Sequence, residues 1–191
     1  MKKFLIIFIL MLSMSSMVSA ASFDEDVDRF MEWITGPEEL EDWQPEATTD
    51  EVYCLAEAIY FEAGNQPVVG KIAVANVIIN RTWAEEYPDT ICEVVHQGPI
   101  RESWKKDGSF YPIRHKCQFS YYCDGRSDTP KYGPTWDDSR LIAEIVIMER
   151  DFETSLDSVE GATHYHAMYV WPRWADHMQR VVQIEDHIFY K

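Results

Sequence analysis

The segment PVVGKIAVANVIINR, residues 67–81, is apolar on nearly every face of a helix, and Lys71 is its one charge before Arg81. A helix that is apolar all round is buried by neighbours on every side, so the sequence predicts a central helix here. Asn76 and Asn80 lie four residues apart on this helix and need hydrogen-bond partners inside a core. We interpret them as structural braces rather than substrate contacts.

The first twenty residues have the features of a secretion signal. Two lysines precede the mostly apolar residues 4–14, and Val18-Ser19-Ala20 offers small residues at a cleavage site. The apolar run is too short to span a bilayer, and no later segment resembles a transmembrane helix. We expect a signal peptide over 1–20, a secreted or periplasmic mature protein, and no stable membrane insertion after cleavage.

The charge balance excludes nucleic acid as a partner. The chain has 17 basic and 33 acidic residues, a net charge of −16, whereas nucleic-acid binders contact phosphates mainly with Lys and Arg. Residues 22–51 contain twelve acids and one base. We therefore expect an acidic leader over 21–47, with a short helix around Asp26–Trp33, ahead of one domain over 48–191.

The chain has four cysteines: Cys54, Cys92, Cys117 and Cys123. An even number in an exported protein suggests two disulfides. Three pairings are possible, and we favour Cys117–Cys123, which closes a short loop, together with Cys54–Cys92. Reduced or metal-bound thiols are the alternative, although the chain lacks a CxxC pair with zinc-site spacing.

A second helix is predicted over 48–63, with a capping box at Thr48–Glu51 and an end at Gly64-Asn65, which tolerate a left-handed C-cap. Glu62 lies on its apolar face, whereas Glu57 is about 140° away and is expected to be more exposed. Apolar surroundings and the negative end of the helix dipole both raise the pKa of a carboxyl. Glu62 therefore suits a general acid for glycosidic cleavage, or else is a buried glutamate satisfied by the backbone or an arginine.

The chain contains, in order, CLAEAIYFEAGNQPVVGKIAVANVIINR, YPDTICEVVHQ, CQFSYYCDGR and GATHYHAMYVWPRWADHMQRVVQIEDHIFY. These blocks resemble the spore cortex-lytic and related cell wall hydrolases, the SleB/CwlJ type. That family's first block typically reads YxEARGE, and its catalytic glutamate is the first of the string, which corresponds to Glu62. Gly64, Asn65 and Gln66 stand here in place of the Arg, Gly and second Glu.

The resemblance implies a compact, mostly helical domain with lysozyme-like or lytic-transglycosylase-like architecture. It implies that the partner is the peptidoglycan glycan strand and that Glu62 is the catalytic acid, with no cofactor. Lytic transglycosylase chemistry is favoured, in which the acid protonates the glycosidic oxygen and the muramic acid 6-hydroxyl closes on C1. Because no water is the nucleophile, a second catalytic carboxylate is not compulsory.

The rest of the chain predicts one more helix and several strands. An apolar stripe runs along Leu141, Ile145, Met148 and Phe152, with Thr135 as a possible N-cap. Short β-rich pieces follow at 162–167, 179–184 and 187–190. We therefore expect an α+β fold that is predominantly helical, with short C-terminal β elements.

A glycan cleft needs aromatic faces and hydrogen-bonding edges, and loop aromatics can provide the faces, although ordinary packing is the alternative. A loop closed by Cys117 and Cys123 would present three aromatic rings, and two tryptophans flank Pro172. The candidate substrate-binding residues are Gln118, Phe119, Tyr121, Tyr122, His164, His166, Trp171 and Trp174.

His164 and His166 would share one face of a strand, about 7 Å apart between alpha carbons. A metal pair there would need a third ligand from His177, His187 or an acid, and the chain has no HExxH motif. We therefore expect no metal site, and hydrogen bonding or packing for the two histidines.

Three other functions stay open. A hydrolytic muramidase would use two carboxylates, about 5–5.5 Å apart if retaining or about 6.5–9.5 Å apart if inverting. Glu57, Asp124 and Asp128 are available as its second acid. A zinc amidase and a non-catalytic wall-binding protein are the remaining alternatives, and the oligomeric state is open.

Overall fold

A computed structural model describes residues 49–151 and 157–191. Within these ranges the chain forms four α-helices, two 3₁₀ turns and five strands. The expected signal peptide, the acidic leader with its short helix, the cap at Thr48 and the stripe residue Phe152 lie outside the described residues.

Helix α1 spans Thr49–Ala63, close to the predicted range. The reason for its end differs from the one expected, because Gly64 does not have a positive φ. A Cβ at Gly64 would lie 2.3 Å from the carbonyl oxygen of Tyr60 and 3.2 Å from Cγ2 of Thr135. The position therefore requires the absence of a side chain rather than a left-handed backbone.

Helix α2 spans Val68–Trp83, and every residue from 69 to 82 is buried. This confirms the predicted central helix. The side-chain amide of Asn80 donates to the carbonyl of Ala162 at 3.1 Å, and that of Asn76 donates to the hydroxyl of Ser158 at 3.5 Å. Both asparagines hold the segment that precedes the C-terminal sheet, as expected of structural braces.

The two disulfides pair as the sequence favoured. Cys54–Cys92 connects α1 to the short helix α3, Ile91–Val95. Cys117–Cys123 closes what we call the disulfide loop, residues 117–123, which contains the 3₁₀ turn Ser120–Cys123. Both bridges lie close to α1, since the disulfide loop packs a tyrosine ring against Phe61.

Helix α4 spans Pro134–Asp151 and packs against both α1 and α2. Thr135 lies inside this helix, so the prediction that it caps the helix is wrong. Ile145 is buried as expected, but Leu141 and Met148 are only half-buried. Contact with two helices buries a wider face than a single stripe, and that face also includes Ile142, Ala143, Val146 and Ile147.

A small antiparallel hairpin was not predicted. It consists of β1, Ile100–Glu102, and β2, Phe110–Pro112. Five of its six strand residues are exposed and the sixth is half-buried. The hairpin therefore lacks the alternation of buried and exposed residues by which strands are recognised in a sequence.

The three C-terminal strands follow the prediction: β3 is His164–Ala167, β4 is Arg180–Ile184 and β5 is His187–Tyr190. They form an antiparallel sheet in the order β3–β5–β4, and every residue of the central strand β5 is buried. A 3₁₀ turn at Arg173–His177 lies between β3 and β4.

The sheet packs on the central helix. Ala73 and Val77 of α2 form one apolar cluster with Val159, Ala162 and Phe189. The predicted α+β class, predominantly helical with short C-terminal strands, is confirmed. Across the two described ranges, none of the helices is both long and apolar enough to cross a membrane.

Candidate active site

Glu62 lies in the last turn of α1 with its side chain partly buried. The hydroxyl of Tyr165 donates a hydrogen bond to Glu62 Oε2 at 3.2 Å. The backbone of Ser120, in the disulfide loop, is also hydrogen-bonded to this carboxyl. Two elements far apart in the sequence, β3 and the disulfide loop, thus hold one side chain of α1.

Opposing effects set the protonation of Glu62. Burial raises the pKa of its carboxyl, while the Tyr165 hydroxyl, the Arg81 guanidinium and the Ser120 backbone lower it. Burial is the largest effect, so the pKa of Glu62 is raised overall. This is the direction that the sequence predicted, and it favours the protonated carboxyl that a general acid needs.

Arg81 provides a fixed positive charge near Glu62. Its side chain is buried, and its Nε donates to the carbonyl of Thr163 at 2.8 Å. The guanidinium carbon lies 5.1 Å from the ring centre of Tyr87 and 5.2 Å from that of Phe119. Its Nη1 is buried and makes no hydrogen bond to the described residues. Arg81 was read only as the end of the central helix, so its place in the site was missed.

Tyr165 was also missed, although a signal for it existed. On a strand, the residue between two others points to the opposite face of the sheet. Since His164 and His166 share one face, Tyr165 points the other way, and there it contacts Glu62. Burial raises the pKa of its hydroxyl well above the usual value, which keeps the hydroxyl a hydrogen-bond donor.

Glu57 is buried, with 7% of its surface exposed, so the expectation that it is more exposed than Glu62 is wrong. The hydroxyl of Tyr121 donates to Glu57 Oε2 at 3.5 Å, and His96 Nε2 lies 3.8 Å from the same oxygen. The Tyr121 ring also stacks on Phe61, with 4.7 Å between centroids. The disulfide loop therefore covers a second face of α1, which the helical period alone could not predict.

Tyr121 lies among several acids. Burial raises the pKa of its hydroxyl, and the charges of Glu57, Glu62 and Asp128 raise it further. The pKa of Asp128 is itself raised, first by burial and then by Glu57 and Asp124. Asp128 thus interacts with both of the other acids that the sequence offered to a muramidase, Glu57 and Asp124.

The disulfide loop does not present its aromatics as predicted. Phe119 and Tyr121 are 2% and 7% exposed, so both rings lie in the interior rather than on a sugar-binding surface. The half-buried ring of Tyr122 stacks on His96, with 4.3 Å between centroids. Gln118 is exposed, and its backbone N–H donates to the carbonyl of Gln97 at 2.9 Å. Of this group, Gln118 and Tyr122 remain available to a ligand.

The predicted histidines and tryptophans form a second cluster. The ring centre of Trp174 lies 5.2 Å from His164 and 5.6 Å from His166, so the two histidines share one face as expected. His166 is buried, and its Nε2 lies 3.0 Å from the hydroxyl of Tyr190. Trp171 is 63% exposed, and its ring centre lies 5.6 Å from that of His166.

His164 connects this cluster to the carboxyl site. Its Nε2 lies 3.4 Å from the hydroxyl of Tyr87, whose ring contacts Arg81. Burial lowers the pKa of His164, and the charge of Arg81 lowers it further. No group of three His, Cys, Asp or Glu side chains in residues 49–151 and 157–191 could hold a metal ion.

A family model described as Cell Wall Hydrolase matches residues 65–190, about two thirds of the chain. The chain belongs to this cell wall hydrolase family. The matched range begins three residues after Glu62, so the family match covers Arg81, the disulfide loop and Tyr165 but stops short of the carboxyl.

Curated relatives of this cell wall hydrolase are named spore cortex-lytic enzymes. The protein from Halalkalibacterium halodurans is 36% identical over 62 residues, which cover 32% of this chain and 18% of the relative. The Bacillus subtilis protein is 31% identical over 64 residues, or 34% of this chain and 21% of the relative. The match therefore spans about a fifth of the length of these relatives.

Two solved structures share the fold. The catalytic domain of the Bacillus cereus SleB protein superimposes with a TM-score of 0.51 at 21% identity, covering 75% of this chain and 91% of that domain. The catalytic domain of a germination-specific lytic transglycosylase, SleB from Bacillus anthracis, gives 0.53 at 21% identity and covers 78% and 100%. At this identity the likeness establishes the fold alone.

Proposed function

We propose that this cell wall hydrolase cleaves peptidoglycan glycan strands as a lytic transglycosylase, with Glu62 as the general acid. The observation that carries the proposal is the partly buried Glu62 carboxyl, whose pKa burial raises and whose Oε2 accepts a hydrogen bond from Tyr165. A protonated carboxyl held by a second element suits proton delivery to a glycosidic oxygen.

The reaction needs one carboxyl that acts twice. Glu62 gives its proton to the glycosidic oxygen as the bond between that oxygen and C1 of the muramic acid breaks. The muramic acid 6-hydroxyl then forms a bond to C1 and returns its proton to the Glu62 carboxylate. The products are a free hydroxyl on the leaving sugar and an anhydro-muramic end, and water is not consumed.

Arg81 and Tyr165 act on the charged form of Glu62. When the proton has left, the carboxylate is stabilised by the Tyr165 hydroxyl and by the nearby guanidinium, which both lower its pKa. Each interaction is stronger in that state than before proton transfer, and this difference is what lowers a barrier. The two residues are therefore assigned as positioning and charge-stabilising groups.

Hydrolytic muramidase activity is the second candidate, and the burial of Glu57 favours it. A buried carboxylate beside Tyr121 and His96 is a group that could activate water. Because Glu57 and Glu62 both raise the pKa of Tyr121, the two carboxyls lie in one electrostatic environment.

Mass analysis of the products distinguishes the candidates. Purified mature protein is incubated with sacculi, and the masses of the released muropeptides are measured by mass spectrometry before and after borohydride reduction. Anhydro-muramic ends, one water lighter and resistant to reduction, are expected. Reducing muramic ends would replace the proposal by the muramidase. Release of peptides from an intact glycan would replace it by an amidase, if that release is lost on chelation and restored by zinc.

A further inference from the structure

The densest group of basic residues lies in one exposed segment, residues 100–116, which we call the basic hairpin. It contains five basic and two acidic residues, whereas the remainder of the chain contains 12 basic and 31 acidic residues. The basic residues are Arg101, Lys105, Lys106, Arg114 and Lys116, and all five are exposed. The segment therefore presents positive charge on a strongly acidic protein.

The basic hairpin also exposes large apolar side chains. Trp104 is 87% exposed and Phe110 is 58% exposed, while Tyr111 and Ile100 are 54% and 62% exposed. None of these four belongs to the candidate active site. Exposed aromatic side chains gathered on one short segment are typical of a binding surface rather than of a folding requirement.

Cations and aromatic rings are neighbours at two places on this surface. Arg101 lies directly opposite Tyr111 in the strand register, so their side chains share one face. At the tip, the ammonium of Lys105 lies 5.8 Å from the centre of the Trp104 ring. Each pair offers a ring face, on which a sugar can stack, next to a positive charge that can pair with a carboxylate.

The tip of the hairpin is ordered by its own hydrogen bonds. The backbone N–H of Ser103 donates to the carbonyl of Ser109 at 2.8 Å, and the hydroxyl of Ser103 accepts from the Lys105 N–H at 3.3 Å. Asp107 accepts from both the N–H and the hydroxyl of Ser109. Because the tip is already ordered, binding a ligand there costs less conformational entropy.

We propose that the basic hairpin is an accessory binding surface for peptidoglycan, recognising the sugar rings together with the free carboxylates of the peptide stems. The proposal rests on the proposed action on peptidoglycan. Charge complementarity supports it, because the other regions of an acidic enzyme repel an anionic wall and this segment attracts it.

An anionic bilayer fits the same surface less well. Phe110 and Tyr111 are neighbours on a strand and point to opposite faces of the ribbon, so they cannot enter one membrane plane together. The carboxylate of Glu102 lies opposite Phe110 in the register and would meet the same lipid surface. A glycopeptide strand can contact both faces of a narrow ribbon, whereas a bilayer cannot.

The test measures sedimentation with purified sacculi at low and physiological salt, using the full mature chain in a Glu62→Gln background so that the wall is not digested. The variants are the Lys105→Gln/Lys106→Gln pair and Trp104→Ser. Their matched controls are the Arg140→Gln/Arg180→Gln pair, which removes the same charge elsewhere, and Trp83→Ser, which removes another exposed tryptophan.

Each hairpin variant is expected to weaken binding about tenfold at low salt, with a smaller effect of the charge pair at physiological salt. The controls are expected to change binding less than twofold. Amidating the wall carboxylates should weaken the parent protein to the same extent and abolish the further effect of the lysine changes. Equal binding of sacculi by the hairpin variants and their controls would overturn the proposal. The same sedimentation assay with phosphatidylglycerol vesicles tests the lipid alternative, and hairpin variants that lose binding to the vesicles but not to sacculi would also overturn the proposal.

A second measurement separates this proposal from the proposed function. In the protein with Glu62 intact, the loss of activity caused by the hairpin variants should be about tenfold greater on sacculi than on short soluble glycan fragments. Anhydro-muramic ends on the fragments, with equal losses on both substrates, would contradict the accessory surface while leaving the catalytic assignment in place.

Discussion

The hydroxyl of Tyr165 donates a hydrogen bond of 3.2 Å to Oε2 of Glu62, across 103 residues of sequence. Tyr165 is half-buried in β3 and packs against the rings of Phe189 and His187, so its hydroxyl is held by the C-terminal sheet. The catalytic proposal therefore depends on two parts of the chain that must pack correctly before Glu62 is oriented.

Tyr165→Phe is expected to shift the pH dependence of activity. The Tyr165 hydrogen bond lowers the pKa of Glu62, so its loss raises that pKa further. Because the protonated carboxyl is the active form, the alkaline limb of kcat/KM should move to higher pH, by about one unit for a hydrogen bond to a charged group. The maximal rate should fall about tenfold, since the carboxylate formed in the reaction loses a donor.

Tyr169→Phe is the matched control, because Tyr169 is 84% exposed and lies just after β3. Its pH profile should coincide with that of the parent. An unshifted alkaline limb in Tyr165→Phe would show that the hydroxyl does not act on the group that limits the rate at high pH.

Much of the fold could be predicted because its signals are local. The all-apolar segment predicted the buried α2, and three short β-rich pieces in the C-terminal segment predicted the strands β3, β4 and β5. The hairpin β1–β2 left no such signal, because its strands have three residues each and are exposed on both faces. A sequence pattern predicts an element only where burial requires apolar residues, on one of its faces or on all of them.

The candidate site could be predicted only in part, because it is built from contacts between distant elements. Glu62 could be recognised from its own helix and from the family resemblance. The burial of Glu57 could not, since the disulfide loop that carries Tyr121 covers that face of α1. Arg81 was hidden by its place at the end of a core helix, where a single charge gives no indication of its partner.

Arg81→Met is expected to raise the pKa values of two groups at once. The guanidinium lowers the pKa of Glu62 and that of His164, so its removal should raise both. NMR titration of the histidine rings follows His164, and the alkaline limb of kcat/KM follows Glu62. Arg81→Lys, which keeps a positive charge, should give smaller shifts in the same direction.

The change at Arg81 also has a structural cost. Loss of the bond to the Thr163 carbonyl should lower the free energy of unfolding by about 1–3 kcal/mol, measured by urea denaturation. Arg140→Met, an exposed position on α4, is the control for loss of charge. A folded Arg81→Met protein with an unchanged His164 titration would contradict the proposed electrostatic role.

Gly64→Ala is expected to destabilise the protein although the backbone at Gly64 is not left-handed. The added Cβ would lie 2.3 Å from the Tyr60 carbonyl oxygen, a distance that forces the end of α1 to move. We expect a loss of about 1–3 kcal/mol, the usual cost of overpacking, and a melting temperature several degrees lower. Asn65→Ala, at the adjacent exposed position, is the control and should melt within about a degree of the parent. Equal melting temperatures for the two variants would show that the contact between the added Cβ and the Tyr60 carbonyl relaxes freely.

Glu62→Gln and Glu57→Gln together decide which chemistry operates. Glu62→Gln keeps the shape of the side chain and an oxygen for the Tyr165 hydrogen bond but cannot deliver a proton. Activity on soluble glycan fragments should fall about 10²–10⁴-fold, the usual contribution of general acid catalysis. Glu57→Gln keeps an acceptor for Tyr121, and because a transglycosylase needs no second carboxylate, its loss should stay below about tenfold with anhydro-muramic ends unchanged.

Glu144→Gln, which removes a carboxylate that pairs with Arg140 on α4, is the control for both variants and should leave the rate unaltered. Matching circular dichroism and melting temperature exclude misfolding as the cause of any loss. If Glu57→Gln falls as far as Glu62→Gln and the parent releases reducing ends, Glu57 is the second acid of a muramidase. If a folded Glu62→Gln protein keeps its full rate, Glu62 is not the general acid and the proposed mechanism fails.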